Sequence, residues 1–168
     1  MRHTDLIILS YHRFVINESD YRFSRTYEQF SHDITKKVYD WITIDDGRSD
    51  MIAACEMMRH CNIRAKLFIS TELIGHPGYC TWDQLKELSR FHDIESHGND
   101  HRIHPQLSLS EIVNSIHTSC DIIEREIGKR PRYFVAPYNT YNQVMDKIIE
   151  RANLISLKNR VNILNISK

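Results

Sequence analysis

This chain has no charge imbalance: 22 basic side chains meet 22 acidic ones across 168 residues, and its lysines and arginines gather into no block. A nucleic-acid or anionic-membrane partner therefore has no electrostatic footprint here. Long apolar runs are missing too. The first run, after Met1-Arg2-His3-Thr4-Asp5, is too short for a signal-peptide core or a membrane span. The expectation is no membrane segment and, by default, cytoplasmic residence. The four cysteines, Cys55, Cys61, Cys80 and Cys120, form no CxxC pair. That argues against a thiolate zinc site or a redox dithiol and for free thiols in a reducing compartment. No internal repeat, low-complexity tract or linker interrupts the chain. Its length, with 41% hydrophobic and 26% charged residues, suits one globular domain over residues 1–168 that buries its own core.

What is present is an alternation of strand-like and helix-like runs. Residues 6–10, 38–44, 65–69, 93–96, 133–135 and 154–157 read as strands, and 161–166 is a last apolar run. Between them, helices are predicted from Ser49 or Asp50 to about His60, over residues 82–90 behind a Thr81 cap, and from Ser108 or Ser110 to Ile127. In the last of these Ile112, Val113, Ile116, Ile122, Ile123 and Ile127 recur near helical spacing, and Gly128 stops the run. A further helix covers residues 142–152. The aromatic-rich stretch 13–35 resists assignment. Strands alternating with helices imply parallel pairing through helical crossovers. About seven strands in so short a chain predict a small α/β barrel, whole or incomplete, with an open doubly wound sheet as the competitor.

Three segments that carry chemistry each follow a predicted strand, where loops build the sites of parallel α/β folds. Thr43-Ile44-Asp45-Asp46-Gly47 ends an apolar run in two carboxylates that would not both ionise comfortably in a dry site unless a cation took one of them. A solvated Asp-Asp-Gly turn has the same sequence. His97-Gly98-Asn99-Asp100-His101 spaces two imidazoles so that both can meet one metal, or sit exposed on a loop. Ala136-Pro137-Tyr138 is a stiff turn in which Pro137 extends Ala136 and the Tyr138 N–H can serve as an oxyanion donor. Tyr11-His12, after the first strand, reaches the same mouth or is simply buried. Taken together, two nitrogen ligands, one oxygen ligand and a spare carboxylate make a parts list for a metal that activates water. His104, beside Pro105, falls outside this pattern and reads as a helix-entry residue. His32, His60, His92 and His117 read as surface or helix-face residues.

These motifs resemble those of the polysaccharide deacetylases, the NodB-like carbohydrate esterases. The family's Thr-Phe-Asp-Asp-Gly is similar to residues 43–47, and its His-(Ser/Thr)-x-x-His to His97 through His101, with Gly98 where a hydroxyl residue usually stands. Residues 65–71, 81–85 and 93–97 also resemble the family, and Tyr11-His12-Arg13 is similar to the branch that deacetylates poly-N-acetylglucosamine. The resemblance covers roughly residues 6–138. It implies a distorted (β/α) barrel of fewer than eight units. It further implies a divalent metal, usually zinc, on Asp46, His97 and His101, with Asp45 as general base and the Tyr138 N–H as oxyanion donor. The implied activity is hydrolysis of N-acetyl groups on an amino-sugar polymer. Three departures bear on turnover rather than on metal ligation. The third motif, usually Arg-Pro-Pro-Tyr-Gly, reads Val135-Ala136-Pro137-Tyr138-Asn139, so its arginine is absent, and Arg48 is the substitute to consider. The tryptophan motif and the Leu-x-His motif, whose histidine is the family's general acid, have no match, which leaves His12 or the proton held on Asp45 to serve the leaving amine. The alternatives are an inert glycan- or metal-binding relative and an amidase acting on a non-sugar amide.

Overall fold

Alternating burial along the strands sorts side chains onto two faces of one sheet, and this sorting decides what the site is made of. The computed structural model describes residues 7–18, 21, 23–158 and 161–162. In chain order the elements are β1 (Ile8–Tyr11), β2 (Arg13–Val15), β3 (Ser24–Thr26), α1 (Tyr27–Thr35), β4 (Trp41–Ile44), α2 (Met51–His60) and β5 (Ala65–Ile69), followed by α3 (Trp82–Ser89), β6 (Asp93–Ser96), α4 (Leu109–Ile127), β7 (Tyr133–Phe134), α5 (Gln143–Arg151), β8 (Ile155–Ser156) and β9 (Val161–Asn162). Seven strands form one sheet in the order β8-β7-β6-β5-β4-β1-β9, every pairing parallel, as helical crossovers require.

The outward face carries Leu9, Tyr11, Ile42, Ile44, Leu67 and Ile69. They pack on Phe30 and Ile34 of α1, Ala54 and Met58 of α2, and Leu85 and Leu88 of α3. Phe134 and Ala136 pack on Ile112 and Ile116 of α4 and Met145 and Ile149 of α5. The inward face closes on itself through Ile8, Phe68, Val135 and Leu157, with Trp41 and Tyr133 beside them. The Trp41 and Tyr133 ring centroids are 5.4 Å apart. Their strands are three spacings apart in the sheet, about 14 Å if it were flat. The sheet is therefore curled, with β8 and β9 as its two edges among the described residues. This is the small, incomplete barrel that the alternation predicts, distorted as the resemblance implies, and an inner face that buries itself excludes the doubly wound alternative.

Helix starts follow local chemistry. Thr26 with Gln29, Thr81 with Gln84 and Ser108 with Glu111 form reciprocal capping boxes, and Gly128 ends α4 in the left-handed region. Asp50 precedes α2 but makes no cap bond. Its carboxylate instead accepts the Phe14 N–H and the Arg48 Nε–H. The unassigned stretch resolves into a two-stranded parallel ribbon, β2 with β3, and then α1. Buried Asp33 of α1 receives both arms of Arg25 at 2.8 Å and the Tyr11 hydroxyl at 3.2 Å, which fastens the ribbon to β1. The second strand starts at Trp41, three residues later than expected, because the Asp40 carboxylate turns back to accept the Ile7 N–H. Leu6 and most of the run 161–166 lie outside the described residues. His92 is not a surface residue: it is 2% exposed, its Nδ1 accepts the Ala65 N–H and its Nε2 donates to the Cys55 carbonyl. Among the described residues no helix is long and apolar enough to cross a membrane.

Candidate metal centre

Strand period brings the first acid to the inner mouth. Ile42 and Ile44 face the helices, so Trp41, Thr43 and Asp45 face inward. The Asp45 N–H bonds to the Tyr11 carbonyl at 2.9 Å, and the residue is fully buried. Strict alternation would send Asp46 outward. Its φ of +76° and that of Gly47, +80°, reverse the chain and return its carboxylate to the same mouth. Glycine suits that second position, because its φ of +80° strains any L side chain and a Cβ there would press on Ile69 Cγ2 at 3.1 Å and Ile69 Cβ at 3.3 Å.

Two strands over, Ile94 and Ser96 face outward, and Glu95 and His97 inward. The buried His97 ring donates Nδ1–H to the Val135 carbonyl at 2.7 Å, so in the neutral imidazole the Nε2 lone pair is free to ligate. That Nε2 is 3.4 Å from Asp46 Oδ1. His101 reaches the same oxygen: with φ of +54°, it puts Nε2 3.0 Å from Asp46 Oδ1. One donor atom from each of the three residues lies within 4.8 Å of the other two. The Asp46 carboxyl is held well below the usual carboxylate range. Burial pushes it up, and with the imidazoles protonated the hydrogen bonds from His101 and His97 and the charge of His97 and His12 outweigh that.

The donor set fits a divalent cation on geometric grounds. Once its Nε2 gives up a proton, His97 presents a lone pair to a carboxylate oxygen 3.4 Å away, an arrangement that a cation between them turns from repulsion into attraction. One oxygen and two imidazole nitrogens, with an open side toward the cavity, match three-ligand catalytic sites.

Around this trio lies a cavity of about 360 Å³ lined by Ser10, His12, Tyr21, Phe23, Asp45, Asp46, His97, His101, Ala136, Tyr138 and Asn139. His12 Nε2 is 3.6 Å from Asp45 Oδ2, and its ring lies beside Phe23. Tyr138 sits on the rim with φ of +58°, the residue 63% exposed and its ring 4.9 Å from that of His101. All five sequence-selected residues, Asp45, Asp46, His97, His101 and Tyr138, thus line one cavity, with His12 beside them. Arg48 is the substitute considered for the missing arginine. It pairs with Asp50 at 3.0 Å and lies over the Tyr79 ring. The aromatic wall of Tyr21 and Phe23 went unforeseen because it comes from the unassigned stretch. The Thr26-x-x-Gln29 capping signal is in the sequence and would have located α1 behind it.

Comparisons with known proteins bear on the family and the fold. A family model described as polysaccharide deacetylase matches residues 32–156. A search of the curated proteins finds no match. Among solved structures, the chain is similar to a Streptococcus pyogenes deacetylase, PplD, in complex with acetate, at 17% identity and a TM-score of 0.81, covering 94% of this chain and 92% of that one. It is also similar to IcaB from Ammonifex degensii, at 18% identity and a TM-score of 0.78, covering 94% and 85%. A third, BA3943 from Bacillus anthracis, described as a CE4 family pseudoenzyme, matches at 16% identity and a TM-score of 0.62, covering 70% of this chain and 42% of that one.

Proposed function

Because the chain belongs to the polysaccharide deacetylase family, we propose that it is a metal-dependent hydrolase removing N-acetyl groups from an amino-sugar polymer. One observation carries the reading: Asp46, His97 and His101 converge on a shared carboxylate oxygen beside a second, fully buried carboxylate, Asp45. Asp46, His97 and His101 would hold the cation, zinc in our reading. When bound, it supplies Lewis-acid activation of water and of the amide carbonyl.

The chain's own residues do the rest. Asp45 takes a proton as water adds its oxygen to the acetyl carbon. The Tyr138 N–H donates to the developing oxyanion, worth about 3 kcal/mol in comparable sites. As the carbon–nitrogen bond breaks, the amine leaves with a proton. His12 is the donor we favour over the proton on Asp45, because it borders both the cavity and the Asp45 carboxylate. The products are acetate and a free amino sugar. The Tyr11-His12-Arg13 segment supports a poly-N-acetylglucosamine type of polymer as substrate.

A second reading, a glycan-binding relative without turnover, draws on the third motif's arginine being missing from residues 135–139 and on the similarity to a pseudoenzyme. Acetate release from N-acetylglucosamine oligomers at saturating zinc separates the two. The main reading predicts release that a chelator stops and that exceeds release from simple amides. Saccharide binding with no acetate would support the second.

A further inference from the structure

We infer that His104 is a positioning residue for the candidate cation site, taking the place of the hydroxyl side chain that resembling motifs carry at position 98. The inference rests on the metal reading above and concerns what holds the three-residue span between the two imidazole ligands.

Gly98 has φ of +79°, and a Cβ built on it would stand 2.8 Å from His104 Cε1, 3.1 Å from its Nε2 and 3.2 Å from Ser115 Oγ. His104 therefore occupies the space a residue-98 side chain would need. The ring is fully buried, and its Nε2 lies 3.1 Å from Ser115 Oγ. Ser115 Oγ in turn accepts the Asn99 N–H at 3.0 Å and lies 3.5 Å from Asp100 Oδ1. One serine on α4 thus gathers His104, Asn99 and Asp100. The opposite flank of the span is held from the end of β5, where the Thr71 and Glu72 N–H groups donate to the Gly98 and Asn99 carbonyls.

The choice of histidine is itself informative. Its Nδ1 is buried and has no hydrogen-bond partner among the described residues. Burying an unpaired polar atom is unfavourable, and a phenylalanine would fill the same space without it. The gain that offsets this is the Nε2 contact to Ser115. Through that contact α4 fixes the path from His97 to His101, and with it the left-handed backbone that brings His101 Nε2 to Asp46.

Cobalt(II) titration of the chelator-treated full chain tests this. His104→Phe keeps a ring but loses the donor, and His104→Gln keeps an N–H able to reach Ser115. We expect His104→Phe to bind Co2+ 10- to 100-fold more weakly, roughly, with a changed d–d absorption at saturation, and His104→Gln to stay within about threefold of wild type with the native spectrum. Ser115→Ala, which removes the hub itself, should behave like His104→Phe and serves if that variant fails to fold. Native affinity and spectrum in His104→Phe or Ser115→Ala would overturn the inference, as would lowered melting temperatures with an unchanged spectrum at saturation. Wild-type protein that takes up no Co2+ would overturn the metal reading and this inference together.

Discussion

The His97 side chain and the Val135 backbone are joined by an Nδ1–H to carbonyl hydrogen bond of 2.7 Å, which ties the end of β6 to the end of β7. Sheet pairing thereby decides which ring nitrogen faces the cavity. The consequence is chemical: a pairing that serves the fold also selects the tautomer a cation needs. The neighbouring Asp45 owes its inward direction to the period of β4, so base and ligands are placed by separate structural devices and can be tested separately.

Asp45→Asn removes the proton acceptor and keeps the shape. Deacetylation should fall by about 10²- to 10⁴-fold in kcat, the range for loss of a general base. Zinc uptake measured on the same sample should be unchanged. A variant that still turns over at the wild-type rate would refute the assignment.

His12 has a role that depends on the leaving group. An amine needs a proton to depart, whereas the nitrophenolate of p-nitrophenyl acetate does not. His12→Gln should slow amide deacetylation about 100-fold and leave p-nitrophenyl acetate hydrolysis nearly untouched. Equal losses on both substrates would assign His12 to holding Asp45 instead, in line with their 3.6 Å approach.

Stability should fall on acidification before most carboxylates titrate. Burial pushes the His92 imidazole below its ordinary range, against the opposing hydrogen bond to Cys55, and pushes His104 down to about 4. Both are neutral in the folded protein, while their unfolded counterparts take up protons below about pH 6.5. The folded state is therefore fully favoured above that pH; His104 withdraws up to about 1.4 kcal/mol per pH unit as pH falls toward 4, and His92 acts in the same direction. Thermal melts of metal-free protein between pH 7 and 4.5 check this, and a flat melting temperature would contradict it.

Glu95, 3% exposed on the inner face below the site, accepts the N–H groups of Arg132 and Tyr133 with one oxygen, at 2.7 and 2.9 Å. Burial nevertheless keeps its pKa above the ordinary value. Glu95→Ala leaves two donors unpaired and should cost about 2–4 kcal/mol in urea unfolding. Glu95→Gln keeps an acceptor oxygen and should cost clearly less. The reverse order would show that the charge, not the acceptor, matters there.

The sequence made legible whatever depends on neighbours in the chain. Residues 65–69 and 93–96 are strands at the predicted bounds, and α4 runs from its Ser108 cap to Gly128 as its periodicity and punctuation require. The three chemical segments announced their convergence because each ends a strand. What stayed hidden depends on distant partners. Asp50 looks like a helix cap, but Phe14 and Arg48 claim its carboxylate. His92 looks like a surface residue until Ala65 and Cys55 bracket its ring. The ribbon bearing Tyr21 and Phe23 has strands of only three residues, too short for a period to show. Asp46 lies on the wrong side of the alternation, and its positive φ has no sequence signal beyond the following Gly47.

The most direct test is calorimetric titration of chelator-treated protein with Zn2+, run beside Asp46→Ala. The account predicts one ion per chain for the wild type and binding at least about 100-fold weaker in the variant, which loses the oxygen that both imidazoles approach. No uptake by the wild type, or uptake indifferent to the loss of Asp46, would contradict it.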